Sequence, residues 1–508
     1  MQSFCRSWIL LALFTPALSA QDGSTPEPVP VADDSAESRE LRLDLAQALE
    51  LALANNLGLR LAELDSEVAS YDHLGSWGDF EWNFNAQGTF TDSEREVSSS
   101  FISGGSTIES ENRRMALDLS KPLTTGGNLS INFDTDRQST NSLIANSEVL
   151  TSDSLVVTYT QPLRRRAWNE YATSTQREAE LGWRRLVETQ RQNRQQLNYS
   201  VRTAYWDLVA AVELQQVAVS AQSLAEELLT KRRRELAAGV GTEVEVLESR
   251  AEVATRVEAL LQATNMVGER MDGLKRLLYG AGDASLWDVD LVPTTPLPQS
   301  ATQIIPTWTE ALMTAVELRS ELRQLRVAVD IARLTHQRSL SDRLAGVDLA
   351  MTASSGAVNE EAGDALNDTL EWNFPTFTVQ LTYDMPIGNK RADYAERSAQ
   401  ARVRRSLLEY DTQELDIVAD VRKAVRDVDF RTEAVRAATE SLVLSERQLE
   451  AEQARNEQGL STNYQVLEVQ QRYVEALSGE REARAEWAKA GVELERAQGL
   501  LGETGGNL

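Results

Sequence analysis

The sequence has 508 residues, 25% charged and 42% hydrophobic, with a mean hydropathy of -0.37, which excludes both a polytopic helical membrane protein and a disordered chain. Its 51 basic residues face 78 acidic ones, a net charge of -27, so the basic stripe that a nucleic-acid partner requires is missing. A single cysteine, Cys5, rules out a disulfide framework and a thiolate metal site.

Residues 1–20 carry Arg6, the apolar run Trp8 to Phe14 and then Ala17-Leu18-Ser19-Ala20, the pattern of a secretory signal peptide. The run is too short to span a bilayer, and Cys5 precedes it, so no lipid anchor is expected. Residues 21–40 read as a disordered segment, and a first repeat follows over 41–280. It opens with a helix over Leu45 to Gly75 and then changes period. In the insert 80–163, Trp82, Phe84, Ala86, Gly88 and Phe90 alternate with polar residues, as do Met115, Leu117 and Leu119, then Leu129, Ile131 and Phe133, then Leu155, Val157 and Tyr159. Alternation of this kind predicts strands with one apolar and one polar face over Trp82 to Thr91, Met115 to Leu123, Asn128 to Thr135 and Leu155 to Leu163. Polar loops are expected at Asp92 to Asn112 and Gln138 to Asp153.

No proline occurs between Leu163 and Val292, so a helix over Trp168 to Ala238 is expected, about 105 Å long at 1.5 Å per residue. Leu197, Val201, Ala204, Leu208 and Ala211 give it a coiled-coil seam. Gly239 suits the left-handed residue that ends a helix, and Thr242 with Glu245 makes a capping box that starts the next, over Thr242 to Gly280. A Pro-rich linker, 281–307, leads to a second repeat over 308–500. That repeat has the same parts: a helix over Trp308 to Arg338, an insert 345–387 with two strands around a loop at Ser354 to Asp368, and a helix over Arg391 to Gln458. A tip at 459–462 and a helix over Thr462 to Leu500 complete it, and residues 501–508 form a tail.

The duplication is explicit. Leu45 to His73 lies over Trp308 to His336 at an offset of 263, and Gly239 to Glu248 over Gly459 to Glu468 at 220. Helices of 31 and 39 residues, stacked, match the long helices of 71 and 68 in height, so each repeat supplies one continuous and one composite helix, as the wall of a tube requires. Seven of the ten phenylalanines sit in the strand inserts, as expected of strands that face lipid. Only a closed barrel satisfies strand backbones in lipid, and so few strands cannot close one. Several copies must pool their strands. The fold class is therefore mainly α with β, internally duplicated: long antiparallel coiled-coil helices form an α-barrel, and the strands of several copies are pooled into an outer-membrane β-barrel.

These residues resemble the TolC-like outer-membrane efflux proteins. The carriers are the opening Ala48-Leu49, Asn55-Asn56 and Leu59-Arg60, the strand ends Tyr159-Thr160-Gln161-Pro162-Leu163 and Tyr383-Asp384-Met385-Pro386-Ile387, and the paired tips Gly239 to Leu247 and Gly459 to Leu467. The resemblance implies a homotrimer that shares a twelve-stranded outer-membrane barrel and a helical tunnel through the periplasm. It implies a passive exit duct of a tripartite efflux pump or type I secretion system, docked by its tips to a periplasmic adaptor protein and through it, indirectly, to an inner-membrane transporter. The strand-like segments number six in place of the family's four; twelve strands in the trimer stay the expectation, and the turn Thr124-Thr125-Gly126-Gly127 marks an extra hairpin of unknown placement.

The candidate adaptor contacts are Gly239, Val240, Gly241 and Thr242 at one tip and Gly459, Leu460, Ser461 and Thr462 at the other. Candidates for a constriction at the periplasmic end are Glu245, Glu248, Gln465 and Glu468. As third residues of capping boxes, Glu245 and Gln465 also have a purely local task, and for Glu248 and Glu468 a solvated helix face is the default against which the constriction is weighed. His73 and His336 read as ends of repeated helices. No cofactor and no enzyme activity are expected, because no phosphate-cradling loop or catalytic constellation is present. A trimeric coiled-coil surface adhesin or a structural outer-membrane protein is the alternative, although an adhesin carries its strands at the C-terminus.

Overall fold

The computed structural model describes residues 40–96, 107–142, 147–280, 287–299 and 305–502. The expected signal peptide, nearly all of the segment 21–40 and residues 503–508 of the tail lie outside the described residues. Two helices set the scale: α4 (Ser174–Ala237), 64 residues and about 96 Å, and α9 (Lys390–Glu457), 68 residues and about 102 Å. Along one half α4 packs on α2 (Leu57–Ser76) and along the other on α5 (Glu243–Leu278), while α9 packs in the same way on α7 (Ser320–Asp342) and α10 (Asn463–Gln498). Because α4 also meets α7 and α10, the helices form a layer four wide: α2 over α5, then α4, then α7 over α10, then α9. Short and long members alternate, with the short ones stacked to full height.

Each expected 31-residue helix is broken near its start. At Asn56 the backbone turns extended, separating α1 (Leu45–Asn55) from α2, and the Asn56 amide oxygen accepts from the Leu59 N–H at 3.1 Å, an N-cap inside a run expected to be continuous. At Arg319 the same kink separates α6 (Trp308–Leu318) from α7, and the buried guanidinium reaches Asp420 at 3.3 Å. Likewise, the expected helix from Trp168 starts as a short piece, α3 (Trp168–Ala172), with Trp168 itself at φ 67.

At these breaks lie the two apolar cores. One gathers Leu45, Ala48, Val201, Tyr205, Leu208, Leu274 and Leu278, and the other Ala311, Ala315, Leu322, Ile417, Val421, Val428 and Leu494. The first is closed by a parallel pair, β1 (Glu40–Leu43) with β6 (Asp290–Pro293), clasped by the fully buried Tyr205, whose hydroxyl donates to Leu43 O and accepts from Thr295 N, both at 3.0 Å. The segment read as a linker thus contains a strand, and Glu40, read as the end of a disordered segment, starts its partner. Leu501, read as tail, is buried, with its carbonyl accepting from Asn198 at 2.9 Å.

Six strands form one antiparallel sheet in the order β2 (Asn83–Glu96), β3 (Thr107–Pro122), β4 (Asn128–Thr140), β5 (Val149–Pro162), β7 (Gly346–Asn359), β8 (Pro375–Asp384). They are longer than the period-two runs suggested and run into both expected loops, over 92–96 and 107–112 in the first and over 138–140 and 149–153 in the second, while 97–106 and 143–146 lie outside the described residues. The register lines up one apolar row, Phe84, Leu119, Ile131, Val157, Ala353 and Phe377, across all six. The neighbouring row, Asn85, Asp118, Asn132, Val156, Ser354 and Thr376, faces the other way and is polar in five of six places, which gives the sheet one wet and one dry face. On the wet face Arg114 donates to Asp134 at 2.7 Å and Thr158 meets Thr352 at 3.4 Å. The stretch Ser354 to Asp368, expected to be a loop, finishes β7 and then forms α8 (Ala362–Leu370), which packs on β5 and β7 and buries Asp153, Ser355 and Ala357. Ala365 and Thr369 repeat at i, i+4 among Asn, Asp and Gly, too brief a pattern to signal a helix.

Candidate functional site at the paired helix tips

Helix α4 ends in a glycine turn because only a residue without Cβ adopts φ 77 at no cost; Gly239 does so, and Gly459 repeats it at φ 73 after α9. Thr242 and Thr462 then restart the chain with full capping boxes: each hydroxyl accepts from the N–H three residues on, and Glu245 or Gln465 accepts from the threonine N–H at 2.9 Å. The donated N–H holds the Glu245 carboxyl below its ordinary pKa, in an exposed setting. Val240 and Leu460 are left at the apices, 81% and 65% exposed, with Val244, Leu247 and Tyr464 open beside them.

The two tips are joined by a side chain that the sequence reading did not single out. Arg232, about two turns before the first tip, is 7% exposed, and its guanidinium donates to Glu235 at 2.7 Å, to Asn456 Oδ1 at 2.8 Å and to Asn463 Oδ1 at 2.9 Å. Asn456 and Asn463 flank the second tip, and each passes the contact on. Asn456 Nδ2 donates to Ser461 O at 3.0 Å, and Asn463 Nδ2 donates to Glu248 Oε2 at 3.1 Å. A planar five-donor fork suits this task, as an ammonium would not. The repeat held the signal: at the offset of 220, Arg232 lies over Glu452, and Glu452 is buried too, accepting from the Ser461 hydroxyl and from Arg455.

The structure therefore brings Glu248 to the second tip through Asn463, places Glu245 and Gln465 in the caps, and pairs the exposed Glu468 with Arg472 one turn on. Among the described residues no group of three or more His, Cys, Asp or Glu side chains stands close enough to hold a metal ion. The two histidines do not converge: His73 stacks on Trp183 with ring centroids 6.2 Å apart, and His336 meets Glu396 at 3.1 Å. The tips hold hydrogen-bonded polar groups inside and offer apolar side chains outside, an arrangement for contact and movement rather than covalent chemistry.

Residues 312–500 match the Outer membrane efflux protein family. Over 281 residues the chain is 24% identical to the Proteases secretion protein PrtF of Dickeya chrysanthemi, a stretch that covers 55% of this chain and 58% of that protein. In fold it is similar to the Campylobacter jejuni CmeC outer membrane channel, with TM-score 0.67, 15% identity and coverage of 90% of this chain and 85% of that one. The outer-membrane channel OprN compares closely, with TM-score 0.64 and 15% identity over 90% and 89% of the two chains.

Proposed function

We propose that this chain is a TolC-like outer-membrane efflux protein, the passive exit duct of a tripartite efflux pump or type I secretion system, a reading supported by the family match over 312–500 and by the shared channel fold. Three copies wall one conduit: the sheets cross the outer membrane with the dry face to lipid and the wet face to the lumen, and the helical layers extend the tube through the periplasm. The observation that carries this reading is the two-faced sheet joined to helices of matched height, since no single copy seals the strand edges of such a sheet against hydrocarbon. In this reading the energy for transport comes from a partner.

At the far end Val240 and Leu460, raised on glycine turns, are the surface for a periplasmic adaptor protein, through which an inner-membrane transporter hands over its cargo. The relation to a protein named for protease secretion supports a polypeptide cargo. Behind the apices, Glu248 and Glu468 are the acidic residues of a threefold constriction.

Fractionation and a mild detergent gel test the duct. The expected result is a heat-sensitive trimer confined to the outer-membrane fraction; a water-soluble monomer would end the reading. Gly459→Asp separates the tip from the architecture: export falls while the trimer band persists, and a lost trimer would make the tip structural.

A further inference from the structure

We propose that three copies of this chain close an eighteen-stranded barrel, with β2 of each copy paired to β8 of the next. The proposal rests on the trimeric duct above and specifies its membrane section. Hairpin β3–β4, the addition to the family's usual four strands, is no appendage. It lies inside the sheet with continuous ladders to β2 on one side and β5 on the other. Its turn is bolted to the base of the helices: Thr125 O accepts from Trp168 N and from Gln161 Nε2, both at 2.9 Å, and a Cβ on Gly126, at φ 83, would meet Arg166 O at 3.0 Å. A lid or plug would show neither feature.

The two edges are made for each other. With six strands alternating in direction, β2 and β8 run opposite ways, so identical copies arranged in a ring continue the antiparallel order without a break. Both edge strands are exposed along their whole length, and in lipid their free N–H and C=O groups need partners. The helices repeat the pattern on the same flanks. Beside β2, helix α2 leaves Leu57, Leu61, Leu64, Val68 and Tyr71 exposed at steps of four and three; beside β8, helix α9 leaves Tyr394, Ala401, Leu408 and Leu415 exposed at steps of seven. Two halves of one coiled-coil seam therefore stand on the flanks that carry the two strand edges, and the occupant of both is a second copy of this chain.

Width follows. At a strand spacing of about 4.8 Å and a tilt of about 40°, eighteen strands give a backbone diameter of about 36 Å against about 24 Å for twelve. Barrels of 16–18 strands leave an aqueous channel. Selection by size then falls to the helical tips and not to the membrane section.

Cysteine pairs decide the matter in the full-length assembly. One set joins β2 (Asn85, Gln87, Thr89) to β8 (Thr376, Thr378, Gln380), the other α2 (Leu61, Leu64, Val68) to α9 (Ala401, Leu408, Leu415). Cross-linked trimers from both sets are expected. Trimers from the helix set alone overturn the proposal and leave the duct standing; none from either set overturns both. A second variant joins Glu96 directly to Val149, removing the hairpin, and end-on images in lipid nanodiscs should show a barrel narrower by about a third. Equal widths would mean that the hairpin never belonged to the barrel wall.

Discussion

The first tip is built around a buried cation, Arg232, and the second, at the equivalent repeat position, around a buried anion, Glu452. Each is paired three residues on with the opposite charge, Glu235 in one case and Arg455 in the other, so the pair is inverted between copies of one backbone motif. The turns differ as well. Gly241 lets the chain close on α4, with its N–H and that of Val240 both donating to Glu235 O, at 3.1 and 3.0 Å; a Cβ there would meet Leu236 N at 3.0 Å. Ser461 stands in its place at the second tip and gives its hydroxyl to Glu452. Duplicated halves with identical tips could only repeat one contact around a ring. At the first tip the buried charge reaches across to Asn456 and Asn463, whereas at the second Glu452 stays within its own tip on Ser461 and Arg455.

Removing the guanidinium should break the comparison most severely. In Arg232→Ala, three acceptors lose a charged donor in a buried setting, where each such hydrogen bond is worth roughly 1.5–3 kcal/mol. Hydrogen exchange over residues 225–250 and 445–470 should accelerate in both tips together, and channel openings should lengthen. Faster exchange in the first tip alone would show that the two tips are not coupled. The glycines come next. Gly239→Ala and Gly459→Ala each force an L-residue into the left-handed region, at about 1–2 kcal/mol. Because the first turn has the extra bond to Glu235 O, its exchange should change less, and equal changes would deny that bond a role.

Smaller still is the effect at the proposed constriction. Glu468 faces Arg472, and Glu248 is held by Asn463, so the acidic charge at this end is partly neutralised within each copy. Glu468→Ala should lower cation preference in single-channel recordings by a modest factor, and Arg472→Ala should raise it; unchanged selectivity in both would remove Glu468 from the constriction.

Much of this was legible in the sequence because the signals were long or repeated. Two proline-free tracts gave the helices, and period-two runs marked six strand segments, but the expectation of four per copy left one hairpin unplaced, and the six-stranded sheet corrects it. The breaks at Asn56 and Arg319 were hidden because no proline marks them: the Asn56 cap is local, but its amide also donates to Leu277 O at 3.3 Å, and that contact and the burial of the Arg319 guanidinium exist only once another segment is in place. Helix α8 was hidden for the same reason, since Thr369 and Ala365 are buried by β5 and β7, about two hundred and ten residues and ten residues away in sequence. At the tips the glycines and capping boxes were readable, whereas Arg232 sat in the run Lys231-Arg232-Arg233-Arg234, where nothing local separates the buried arginine from its solvated neighbours. Comparing charge sign between the two repeats would have picked it out.

The weakest effect is also the most selective. Glu245 and Gln465 fill the same place in their capping boxes, but only Glu245 titrates. Its carboxylate accepts from the Thr242 N–H, which lowers its folded pKa below the unfolded value of about 4.3. A lowered folded pKa means that the carboxylate stabilises the cap at all pH values above the unfolded pKa and stops doing so as pH falls through the folded one. Acidification from neutrality should therefore loosen the first tip and spare the second, by well under the roughly 1 kcal/mol of a whole cap because the site is exposed. Exchange rates at residues 242–246 and 462–466, corrected for intrinsic pH dependence, measure the difference. Glu245→Gln should make the two tips respond alike, and a pH response that survives in that variant would place the titrating group elsewhere.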